Sequence, residues 1–114
     1  MSEMETVIMQ LIIHAGDGKT KAHEALREAK EGNYKEAENL MKLAHEALIV
    51  AHNAQTSLLH KEAAGEKVEI TALFVHAQDH LMTSMSEINL IEQILDLRIE
   101  MNHLKDQLAM EGLK

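Results

Sequence analysis

Apolar residues recur at helical spacing along almost the whole chain. The first stripe is Met4, Val7, Ile8, Leu11, Ile12, Ala15, Ala22, Ala25, Leu26 and Ala29, steps of three and four that place them on one face of a helix. Ser2 followed by Glu5 supplies a capping-box start. Gly32 suits the left-handed position that closes a helix, and Asn33 with Glu36 forms the next capping box. The second stripe is Ala37, Leu40, Met41, Ala44, Leu48, Ala51, Ala54 and Leu58, with Gly65 as its stop. A link from Gly65 to about Ile70 leads into a third pattern that runs without glycine or proline to about Met110, its turns from about Asn102 projecting or fraying.

These stripes predict an all-α fold, an antiparallel three-helix bundle running up-down-up, with helices over about 3–31, 34–64 and 70–108 of a single domain spanning 1–114. Composition agrees, because 46 % of residues are apolar but only 2 % aromatic, a palette of Ala, Leu, Ile and Met that suits close-packed helices better than a sheet. Gly16 and Gly18 interrupt the first helix on or beside its buried stripe. Either another backbone or a ligand approaches there, or the helix bends.

The third helix has two apolar faces. With His76 at zero and roughly 100° per residue, Leu73, Ala77, Leu81, Ile88, Ile91, Leu95 and Ile99 gather near roughly 100°, facing the other helices. Val75, Asp79, Met82, Ser86 and Gln93 lie near roughly 270° with the spacing of a coiled-coil seam. A solvated face would carry more Lys and Glu, so the seam reads as an interface between copies of the chain; an ordinary half-exposed surface is the blander reading. If three copies pack around it, His76 faces one neighbour, while Gln78, roughly 200° round the helix, faces the other and reaches that chain's histidine. Three Asp79 carboxylates would then meet near the axis, where like charges require shared protons or a cation such as Mg²⁺.

Charge and residue usage narrow the chemistry. Eleven Lys and Arg against nineteen Asp and Glu give a net charge of −8, which argues against nucleic acid or an anionic membrane as partner. The apolar runs fall short of the roughly 20 residues of a membrane span, and the N-terminus is acidic where a secretory signal is basic, so a cytoplasmic location is expected. The chain has no cysteine, which excludes thiol catalysis and zinc-thiolate sites. Imidazoles and carboxylates remain, and Val75-His76-Ala77-Gln78-Asp79-His80-Leu81-Met82 concentrates them.

Two readings of this octapeptide compete. A histidine can carry a transferable group, since neutral imidazole is both nucleophile and leaving group near pH 7. Alternatively His76, Asp79 and His80 ligate a metal in a metal-binding helical bundle, although three ligands on one helix are few. A non-catalytic helical adaptor would leave the polar octapeptide unexplained. His14, His23, His45, His60 and His103 read as structural or solvated.

The octapeptide, with Ala51-His52-Asn53-Ala54-Gln55-Thr56 and Glu62-Ala63-Ala64-Gly65-Glu66, resembles enzyme IIA of the lactose/cellobiose type from the phosphoenolpyruvate-dependent sugar phosphotransferase system. The likeness runs from about Ile8 to about Leu97. It implies a homotrimer of three-helix subunits in which His76 receives a phosphoryl group from the histidine-containing phosphocarrier protein. The group would pass to a cysteine of enzyme IIB, which feeds sugar entering through a membrane permease. The resemblance also places Asp79 at a buried axial metal site and gives His52 and Gln55 weight as motif residues. His80, one turn after His76, reads as a group that orients the site rather than as a second acceptor. One departure is visible: where the family often reads Gly-x-Ala-Arg-Ser, this chain has Gly16-Asp17-Gly18-Lys19-Thr20, and Lys19 lacks the bidentate fork of Arg. The link Glu66-Lys67-Val68-Glu69-Ile70 is similar to the cellobiose branch more than to the lactose branch, which implies cellobiose or another β-glucoside as the sugar.

Overall fold

Side-chain hydroxyls fix two of the three helix starts in the computed structural model, which describes residues 2–112. Ser2 Oγ accepts the Glu5 amide at 3.1 Å and opens α1, Glu3–Lys30. Thr71 Oγ1 accepts the Phe74 amide at 3.1 Å and opens α3, Ala72–Met110. Periodicity alone carried that helix back to Ile70, but the cap sets its start two residues later. Between them α2 spans Tyr34–Ala63. The turn before it closes on Gly32, whose φ of 87° is open to glycine at little cost. Asn33 does not cap α2 as expected. Its Nδ2 donates to the Glu28 carboxylate at 2.8 Å instead, a charge-assisted bond that ties the turn back to α1.

α1 is the spine of the bundle. It packs along both other helices, whereas α2 and α3 meet each other sparsely. A groove lined by His45, Leu48, Ile49 and Met85 runs between them, crossed by the 2.9 Å contact of His45 Nε2 with Glu92. Asn102 Nδ2 donates to the Ala29 carbonyl at 3.2 Å, beside the end of α1. The bundle therefore ends near Asn102, and the turns after it remain helical to Met110 and project alone.

Two apolar clusters fill the interior. One, towards the α1–α2 turn, is rich in alanine and contains Ala25, Leu40, Met41, Ile88, Ile91 and Leu95. The other contains Ile8, Leu11, Ala51, Leu58, Ala77 and Leu81, and the half-buried Leu48 packs against both. Close approach of a backbone holds for one of the two α1 glycines: a Cβ on Gly18 would lie 3.0 Å from the Ala44 carbonyl oxygen, whereas one on Gly16 would meet open space. Leu73, expected in the core, is 42 % exposed because it sits in the first turn of α3 among Met4, Lys67 and Glu69. Ser84 takes a core position on α3 with its hydroxyl unpartnered.

Candidate functional site

Burial of Ala77 and Leu81 fixes the rotation of α3, and the rotation sets what the octapeptide offers. His76 and His80 lie one turn apart on the flank that faces α1, together with Glu87, roughly 20° from His76 around the helix. The two imidazoles meet edge to face, with centroids 4.6 Å apart and planes at 90°. His76 is exposed, and neither imidazole has a hydrogen-bonded ring nitrogen among the described residues. An exposed, unengaged nitrogen is what a nucleophilic imidazole requires.

Further along that flank, Glu87 receives His23 Nε2 at 3.1 Å and the Lys19 ammonium at 3.6 Å. The His23 hydrogen bond is the largest influence on the Glu87 carboxyl and, helped by the weaker pull of the Lys19 charge, holds it below the usual carboxylate range although burial opposes. Lys19, the residue that departs from the family pattern, thus makes a point contact with Glu87. His45 pairs with Glu92, and His103 meets Tyr34 edge to face.

Asp79 faces outward on the seam with Val75 and Met82, about half exposed at 49 % and 54 %. Gln78 occupies the opposite flank, towards α2, where its Oε1 accepts Gln55 Nε2 at 3.0 Å. The two sides of α3 are therefore chemically distinct, and Gln78 cannot serve the His76 of its own chain. Helical geometry anticipated this separation. It gave no sign of the bond to Gln55, which joins residues of different helices and leaves no trace in the spacing of either.

The metal-binding alternative is not assembled. No three His, Asp or Glu side chains converge within the chain among the described residues. Asp79 projects roughly 60° from His76 and roughly 100° from His80 around α3, so the three cannot close on one ion from a single helix.

Residues 6–99 match the family described as the lactose/cellobiose-specific IIA subunit of the phosphotransferase system. The chain belongs to that family. Among its IIA relatives, the lichenan-specific phosphotransferase enzyme IIA component of Bacillus subtilis (strain 168) is 46 % identical over 83 % of this chain and 86 % of its own length. The crystal structure of the cellobiose-specific enzyme IIA from Bacillus anthracis superposes with a TM-score of 0.86 at 41 % identity, covering 90 % of this chain and 94 % of that one. The solution structure of the IIA(Chitobiose)–HPr complex of the N,N'-diacetylchitobiose branch in Escherichia coli gives 0.78 at 37 % identity, with coverages of 90 % and 99 %. This IIA chain is therefore a component of a sugar phosphotransferase system. No helix of its described residues is long and apolar enough to cross a membrane.

Proposed function

We propose that the chain is a phosphoryl carrier with His76 as acceptor, receiving the group from the histidine-containing phosphocarrier protein and passing it to a cysteine of enzyme IIB. The observation that carries the reading is the exposed His76 imidazole with its nitrogens unengaged. Its ring lone pair attacks phosphorus, a new N–P bond forms, and the donor's N–P bond breaks with its electron pair returning to the donor imidazole. In the second step a thiolate attacks, an S–P bond forms, and His76 leaves as imidazole. His80 braces the ring of His76. The E. coli relative solved with HPr supports the donor.

The working unit in this reading is a homotrimer packed along the α3 seam. The chain is a rod of 67 × 21 × 20 Å. Its surface of 7603 Å² exceeds the roughly 6,300 Å² usual for a monomer of this mass, and Val75, Met82, Leu90 and Leu97 lie exposed along α3. Association would cover them. Asp79 then contributes one carboxylate per chain around the axis, a hard oxygen set that suits structural Mg²⁺. Gln78 of each chain contacts the phosphoryl group on a neighbour's His76. The setting is cytoplasmic, and the membrane enters only through the permease. The sugar is cellobiose or a related β-glucoside in preference to lactose, on the likeness of residues 66–70.

Labelled phosphocarrier protein should transfer one phosphoryl group per chain, lost in mild acid and kept in alkali as a phosphoramidate is. His76→Ala should abolish labelling while leaving helicity intact. Full labelling of that variant would overturn the assignment, and loss in His80→Ala with retention in His76→Ala would move the acceptor by one turn.

A further inference from the structure

We infer that Gln55 is a positioning residue that turns the Gln78 amide so that its NH₂ arm, and not its carbonyl oxygen, is offered to the phosphoryl group of a neighbouring chain. The inference rests on the reading of Gln78 given above and adds the residue that makes it work. The two arms of a glutamine amide have nearly the same size and opposite function, one accepting and one donating, so packing alone hardly chooses between them. Two facing glutamines can bond either way round, and in this structure Gln55 is the donor and Gln78 the acceptor. Gln55 Nε2 donates to Gln78 Oε1 at 3.0 Å from the facing helix, and both side chains are half-buried. With Oε1 committed, Nε2 is the remaining arm. It makes no hydrogen bond among the described residues and is not sealed from solvent.

Orientation decides the sign of the interaction. A phosphoryl group presents anionic oxygens, which an amide NH₂ stabilises and an amide oxygen repels. A neutral donor also suits a carrier that must release the group again, because it stabilises the moving charge without the permanent grip of a cation. Gln55 achieves this without touching the phosphoryl group. Neither the spacing along α2 nor that along α3 marks the pair.

The test reverses the polarity at position 55. Gln55→Glu keeps the shape but leaves only acceptors, so Gln78 must rotate, donate its NH₂ to the new carboxylate and turn its oxygen outward. Phosphoryl transfer to His76 should fall at least about tenfold, below the roughly 10²–10³ lost when a fully oriented donor is removed outright. Gln55→Leu, which frees the amide without inverting it, should lose less. The same two substitutions should have a much smaller effect in a Gln78→Ala background than in the wild type, and the difference between the two backgrounds removes effects of charge and fold common to both. Nitrogen-15 spectra supply a second readout: the Gln78 side-chain NH₂ signal should shift on phosphorylation in the wild type and not in Gln55→Glu. A wild-type rate in Gln78→Ala alone would overturn the reading of Gln78. Slowing in Gln78→Ala, with an equal effect of Gln55→Glu whether or not Gln78 is present, would overturn the role of Gln55.

Discussion

At Gly18 an added Cβ would stand 3.0 Å from the Ala44 carbonyl oxygen and 3.3 Å from Ile88 Cδ1. The isoleucine can turn aside, but the carbonyl belongs to the backbone of α2, so Gly18→Ala must push two helices apart. Overpacking of this kind costs about 1–3 kcal/mol. Gly16, two residues earlier, is helical and faces open space, so Gly16→Ala should stabilise by up to about 1 kcal/mol through helix propensity and a less flexible unfolded chain. Denaturant melts of the pair check both signs, and a neutral Gly18→Ala would mean that α1 and α2 do not approach this closely. In the sequence the two glycines look alike. Only the facing carbonyl tells them apart.

Between elements, Glu87 joins α3 to α1 through His23 and Lys19. Its carboxyl is depressed in the folded state from 4.5, so the stability it contributes is present above that value and is lost as pH falls through the lower folded value. The side chain is 39 % exposed, and solvent screening holds the contribution below about 1 kcal/mol. Glu87→Gln should therefore be less stable than the wild type at about pH 6, with the gap closing in acid. A penalty unchanged by acid would assign Glu87 to packing. At this scale the number of helices, their order and most of both core stripes could be read from periodicity, which survives folding because each helix buries one face. The octapeptide likewise drew attention through residue type alone, and the structure places His76 and His80 together on one flank of α3, with His76 exposed. The cap at Thr71, the diversion of Asn33 to Glu28 and the Gln55–Gln78 bond were not legible, since each depends on which backbone ends or side chains meet in space.

As a whole the molecule is an elongated rod, with a radius of gyration of 18.8 Å against the roughly 13 Å usual for a domain of this length. In the proposed assembly Asp79 is the charged group on a seam otherwise made of uncharged side chains. Asp79→Leu should raise the melting temperature and abolish any response to a chelator, because an uncharged seam avoids the desolvation cost of clustered carboxylates. Sedimentation should give a mass near three times 12.8 kDa for both proteins, and a monomeric wild type or a dissociated variant would overturn the axial reading. The projecting end of α3 lies about 50 Å from His76 along the helix, past the family match that stops at residue 99. A protein docking on His76 with a footprint of about 800 Å² covers a patch roughly 30 Å across. If His76 is the acceptor proposed above, recognition of donor and acceptor places no demand on the last three turns of α3, and substitutions there should leave phosphoryl transfer unchanged.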